Sequence, residues 1–141
     1  PSSMNQQANR FYVLTDRDLL QNISRMVSAK LERFAGKDCT YGAPVLILVT
    51  NRRSNNCAFQ DAACAMENMM LAACAMGVGS CWNNQPFYLD GDPDFRALLS
   101  PLGLAEEEQV CCSLALGLPD GPLFPGRKEH AGNQVIWAEP V

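Results

Sequence analysis

Three short clusters in this sequence carry groups suited to chemistry. The first is residues 1–7, Pro1-Ser2-Ser3-Met4-Asn5-Gln6-Gln7. The hydroxyls and amides of Ser2, Ser3, Asn5 and Gln7 offer donors and acceptors together, which suits the polar edge of a planar ring and equally suits any turn. The second is Gly79-Ser80-Cys81-Trp82-Asn83, which reads as an extended turn whose glycines allow close approach to the backbone. Main-chain N–H groups fixed in such a turn stabilise charge without reorganising. The plainer alternative is a helix stop followed by a buried strand, with Trp82 in the core. The third is Arg127-Lys128 in a tail rich in glycine and proline, either an anion contact or solvated charge. Cys81 has no histidine near it in sequence to activate its thiol, so covalent catalysis there is disfavoured.

These clusters need elements to hold them, and residues 61–82, DAACAMENMMLAACAMGVGSCW, dominate the chain. Asp61 is suited to capping a helix. Residues 62–76 contain no Pro, Gly or β-branched residue, so nothing interrupts about four turns. Glu67 and Asn68 are the only strongly polar side chains inside, and the helix is expected to be buried on most sides. Its Ala and Met content makes a thin cylinder that other backbones can approach, and Gly77 and Gly79 end it. The central polar pair and the lack of flanking positive charge argue against a membrane span.

Residues 9–14 read as a strand. Thr15-Asp16-Arg17-Asp18 gives an S/T-x-x-acid capping signal, ahead of Leu19, Leu20, Ile23, Met26, Val27 and Leu31 at helical spacing. Residues 44–50 form a continuous apolar run, expected to be a central strand buried on both faces. Residues 51–56 are a polar connector whose two arginines read more simply as solvated than as an anion site. Asp92-Pro93 opens a short helix with Phe95, Leu98 and Leu99 on its buried stripe. Residues 110–116 are a further strand. Residues 134–137 are strand-like and close an extended tail, residues 122–141, expected to reach a partner subunit. The alternation of elements gives an α/β class in one domain over residues 1–141. The chain opens at Pro1 without a methionine, and it is expected to begin partway through a protein.

A net charge of −4 offers no broad basic surface, which argues against nucleic acid as a partner. The seven cysteines are an odd number, and Cys64, Cys74, Cys111 and Cys112 sit in apolar runs. They read as buried thiols in a reducing cytoplasm. With one histidine and no C-x-x-C spacing, a metal site is disfavoured.

The acidic residue, the small-residue helix carrying Glu-Asn, then Leu-Ala-Ala and Gly-x-Gly-Ser-x-Trp resemble the core segment of the nitroreductase family of FMN-dependent oxidoreductases. Residues 1–7 are similar to that family's Pro-Ser-x-x-Asn-x-Gln motif, and the likeness runs over nearly the whole chain. It implies an α+β fold with a central mixed, mainly antiparallel sheet flanked by helices, a buried central helix, and a homodimer. It also implies FMN as cofactor, with hydride passing from NADH or NADPH through flavin N5 to a nitroaromatic, a quinone or a similar planar acceptor in ping-pong fashion, and no catalytic side chain. Pro1, Ser2, Ser3, Asn5 and Gln7 then become flavin contacts across the dimer interface. Ser80, Cys81, Trp82 and Asn83 border the ring, partly through their main chain, and Arg127, with Lys128 beside it, meets the FMN phosphate. The chain departs from the family in two places. Ala8-Asn9 stands where proline and an aromatic residue are common, and the arginine-rich segment that grips the same phosphate would lie upstream of Pro1. The rival reading is a flavin-binding or interaction protein that keeps the fold without turnover; a third is a specialised flavin enzyme of the same fold, such as a dehalogenase.

Overall fold

The computed structural model describes residues 1–122, 132 and 134–137. In chain order its regular elements are β1 (Arg10–Leu14), α1 (Arg17–Lys30), β2 (Val45–Arg52), α2 (Ala58–Ala75), β3 (Gly79–Asn83), α3 (Gln85–Tyr88), α4 (Pro93–Leu99) and β4 (Glu108–Gly117). The strands form one sheet in the order β1-β2-β4-β3, and every neighbouring pair is antiparallel. The sheet, expected to be mixed and mainly antiparallel, is antiparallel at every pairing among the described residues. β2 and β3, joined through α2, run parallel to each other, and β4 slots between them antiparallel to both.

Each face of the sheet has its own apolar layer, because alternate side chains leave a strand on opposite sides. On one face Leu14, Leu46 and Leu48 pack with Leu20, Ile23 and Val27 of α1 and with Phe95 and Leu99 of α4. On the other, Val49, Cys112 and Leu114 pack with Ala58, Ala62 and Met66 of α2. β2 is the central strand that its unbroken apolar run predicts, with Leu46, Leu48 and Val49 fully buried.

Several boundaries differ from the sequence expectation. The cap of α1 is Asp16, whose Oδ1 accepts the Leu19 N–H at 2.7 Å; Thr15 lies one residue too early. α2 starts at Ala58 rather than after Asp61. Asn55 Oδ1 accepts the Cys57 N–H at 2.9 Å, and this local turn starts the helix about one turn sooner. Asp61 consequently lies inside the first turn and directs its carboxylate elsewhere. Nor is α2 buried on most sides within one protomer. Ala58, Asp61, Ala62, Met66 and Ala73 are buried, whereas Leu71 is 60% exposed and Met76, at the C-cap, 76% exposed. Cys64 and Cys74 share that outer surface and are exposed, against the expectation of four buried thiols. Cys111 and Cys112 are buried, and desolvation pushes both up to about 12.

Residues 85–88 form the short helix α3. At the other end, residues 134–137 join no strand among the described residues and stand exposed. A short apolar strand gains little order without neighbours to pair with. No helix among the described residues is long and apolar enough to cross a membrane.

Candidate functional site: two half-sites at opposite ends of one helix

The first cluster folds into a tight loop at the start of α2. Ser3–Asn5 make one 3-10 turn, and Met4, Asn5 and Gln7 all take left-handed backbone angles, with φ of 52°, 53° and 50°. Each such non-glycine residue costs roughly 1 kcal/mol or more, so the loop persists only where its surroundings enforce it. Here they do. The Ser3 N–H donates to Asp61 Oδ1 at 2.7 Å, the Gln7 N–H donates to Ser2 Oγ at 3.0 Å, and Gln7 Nε2 donates to Asn5 Oδ1 at 2.9 Å. The structure thus gathers Ser2, Ser3, Asn5 and Gln7, with Pro1 exposed at the loop's entry.

Behind the loop stands a polar relay that sequence reasoning missed. Asn9 Nδ2 donates to the Asp61 carbonyl at 3.0 Å, and Asn9 Oδ1 accepts from Asn51 Nδ2 at 2.7 Å. Asn55 Nδ2 donates to Asp61 Oδ2 at 3.0 Å and to Asn51 Oδ1 at 3.2 Å. The run Asn51-Arg-Arg-Ser-Asn55 is the signal that could have found it, since asparagines at a strand exit commonly bond nearby backbone.

The second cluster follows the end of α2. Gly77, at φ +73°, takes the left-handed position, and the Val78 N–H reaches back to the Ala73 carbonyl at 2.8 Å while the Gly77 N–H bonds Cys74 O at 3.0 Å. This glycine stop turns the chain into the sheet. Gly79–Asn83 is a strand rather than an extended turn. Among the described residues it lies at the sheet edge and pairs only with β4, so alternate main-chain N–H groups on its outer side have no strand partner there. Trp82 is not core; it is 39% exposed, and its Nε1 donates to Asn84 Oδ1 at 2.6 Å. Cys81 is exposed. Asn83 is buried, and its side chain ties the strand end to the preceding loop. Its Nδ2 donates to the Cys39 carbonyl, its Oδ1 accepts the Gln85 N–H at 3.0 Å, and Ser113 Oγ donates to its carbonyl at 2.7 Å.

Ser80 and Cys81 line a cavity of about 290 Å³ together with Tyr41, Pro44, Gly117 and Pro119. Thr40 and Gly42 also line that cavity, and Asp38 holds both from behind. Its Oδ1 accepts from Ser24 Oγ at 2.7 Å, the Thr40 N–H at 2.8 Å and Thr40 Oγ1 at 2.7 Å, and its Oδ2 accepts the Gly42 N–H at 2.8 Å. Burial works against ionisation, but these donors together hold Asp38 below the ordinary carboxylate range.

Within one protomer the two clusters do not meet. Fourteen residues of α2 separate Asp61 from the helix end at Ala75, about 20 Å at helical rise. The sheet keeps them apart in the same sense: Ser80 lies beside Leu116 near the start of β2, whereas Asn9 meets Asn51 near its end. Arg127 and Lys128 lie outside the described residues.

Residues 1–118 match the sequence pattern of the nitroreductase family. The chain belongs to that family. A solved nitroreductase with bound FMN from Bacteroides fragilis superposes with a TM-score of 0.84 at 31% identity, covering 98% of this chain and 80% of that one. A second nitroreductase with bound FMN, from Desulfitobacterium hafniense, shares the fold with a TM-score of 0.82 at 22% identity, covering 99% of this chain and 80% of its own. A protein of Archaeoglobus fulgidus, described as a candidate NADH dehydrogenase/NAD(P)H nitroreductase, is 26% identical over 123 residues. That alignment spans 84% of this nitroreductase-family chain and 66% of the relative's length.

Proposed function

We propose that this chain is an FMN-dependent oxidoreductase that takes hydride from NADH or NADPH and passes it to a small planar acceptor such as a nitroaromatic or a quinone. It acts as a homodimer in which each flavin site is built from both copies. The observation that carries this reading is the separation of the two half-sites along α2, combined with the apolar surface left uncovered beside that helix.

That surface has a simple composition. Leu71 of α2, Met76 at its C-cap, and Phe11 and Val13 of β1 are all exposed. Phe11 pairs with Val49 and Val13 with Ile47. Both partners pack in the layer beneath α2, so the β1 side chains stand on the same side of the sheet as the helix. Burying such side chains is worth roughly 1.5–3 kcal/mol each, which favours a second copy packed on this face. Two copies related by a two-fold axis perpendicular to α2 would set the two helices antiparallel and bring the serine loop of one to the β3 edge of the other.

FMN, when bound, supplies the hydride chemistry through its ring. The residues of this chain bind and orient. The outward N–H groups of the β3 edge near Ser80–Asn83 are donors for the negative charge that the ring gains on reduction. Ser2, Ser3, Asn5 and Gln7 form a polar lip, and the cavity beside Tyr41 and Pro44 shelters the ring from water. Arg127 and Lys128 are assigned to the phosphate, a dianion that calls for charge-assisted partners. No acid–base side chain is required. An odd number of cysteines, seven, suits a reducing compartment, the cytoplasm.

The test is an anaerobic titration. The protein with added FMN should be yellow, should sediment as a dimer, and should bleach when NADH or NADPH is supplied. A dimer that stays colourless after FMN addition would instead support the rival reading, a protein that keeps the fold without turnover.

A further inference from the structure

Asp61 is a buried carboxylate, 4% exposed, and no cation pairs with it among the described residues. An isolated charge in such a place is expensive unless hydrogen bonds compensate it. Its two oxygens have separate duties. Oδ1 accepts the main-chain N–H of Ser3 at 2.7 Å, and Oδ2 accepts Asn55 Nδ2 at 3.0 Å. The main chain is used as well, since the Asp61 carbonyl accepts Asn9 Nδ2 at 3.0 Å. One residue therefore ties the serine loop, the entry to β1 and the connector after β2 to the first turn of α2. The Ser3 bond is the only one of these that reaches into the strained loop. Three of that loop's residues sit at positive φ, a conformation that does not survive without an external hold.

We infer that Asp61 is a positioning residue for flavin binding: it clamps residues 2–7 in the strained form that presents Ser2, Asn5 and Gln7 to the ring. This rests on the flavin reading above. Asp61 itself does not touch the ring; it acts through the Ser3 main chain. A helix-capping aspartate would serve free N–H groups of its own helix, whereas this one serves a loop 58 residues earlier in the chain.

The experiment compares Asp61→Ala, Asp61→Asn and, as a control, Val27→Ala, which removes fully buried volume from the opposite face of the sheet. FMN affinity is measured by quenching of flavin fluorescence, the geometry of bound flavin by its visible circular dichroism, and stability by thermal melting, all on the full chain. Asp61→Ala should weaken FMN binding by at least about tenfold and alter the dichroism of what binds, in line with the loss of a charged hydrogen bond. Asp61→Asn keeps an acceptor oxygen for the Ser3 N–H and should restore most of the affinity and the wild-type dichroism. Val27→Ala should lower the melting temperature and leave affinity unchanged. FMN binding in Asp61→Ala equal to wild type, or a loss equally large in Val27→Ala, overturns the inference and leaves the flavin reading standing. A wild-type chain that binds no FMN overturns both.

Discussion

The two faces of the sheet are built for different purposes. On the α1/α4 face, Leu, Ile, Val and Phe side chains close a layer that is complete within one protomer, with Ile23, Val27, Phe95 and Leu99 all fully buried. On the α2 face the helix contributes mostly Ala, Met and Cys. Its inner stripe covers Val49 and Leu114, while its outer stripe, with Leu71, Cys64 and Cys74, stays uncovered. The first face supplies stability on its own. The second is an unfinished layer, flanked at either end by one half of the proposed flavin site.

Substitutions should separate these two roles. Phe95→Ala, on the closed face, should cost about 3–5 kcal/mol, read by denaturant unfolding, without a specific effect on association. Leu71→Glu, on the open face, should change protomer stability by about 0.5 kcal/mol or less, as exposed sites do. It should nevertheless weaken the dimer at least about tenfold, because a charge would be trapped in an apolar contact. Sedimentation equilibrium checks this, and flavin affinity should fall with it. Equal effects on stability from both variants would remove the distinction.

Thiol labelling sharpens the same contrast without any mutation. Cys111 and Cys112, pushed up to about 12 by burial, should resist alkylation in the native protein, since the thiolate is the reactive form. Cys64 and Cys74 should label in dilute protein and become protected as the dimer forms. Cys81 should be protected by FMN. Mass spectrometry of the labelled peptides reads all three.

The fold was legible in the sequence wherever a pattern depends on local chemistry alone. The unbroken run at residues 44–50 reads as a central strand and forms one, and Asp92-Pro93 caps α4 as such a pair should, with Asp92 accepting from the Asp94 and Phe95 N–H groups. What stayed hidden depends on distant partners. Nothing near Asp61 announces that it serves Ser3, and Gly-x-Gly reads as well for a turn as for the start of an edge strand. The apolar character of α2 was visible, but sequence does not say which chain covers each side. The serine and glycine clusters stood out by residue type and were tied to a flavin by family likeness, whereas Asp38, Asn51 and Asn55 drew no notice. Their roles rest on hydrogen bonds made only once the chain is folded.

Smaller effects come from single polar groups. Asp38 sits below its unfolded pKa in the native state, so its contribution to stability is complete above about pH 4 and is lost as the pH falls through the native value. Acid titration of stability should therefore be steeper for wild type than for Asp38→Asn. The difference belongs to the loop at Thr40 and Gly42 that Asp38 holds, not to the closed face. Asp16→Ala should remove the α1 cap at a cost of about 1 kcal/mol, with no effect on flavin affinity.

The central claim is that each site draws on two copies, and subunit complementation tests it most directly. Ser2→Trp should obstruct the loop half-site and Ser80→Trp the strand half-site, so neither variant alone should bind FMN. Co-refolded in equal amounts, they should regain about a quarter of the wild-type flavin sites, as random pairing into two-fold dimers dictates. No recovery in a mixture shown to contain heterodimers would contradict the account, because each site would then lie within a single chain.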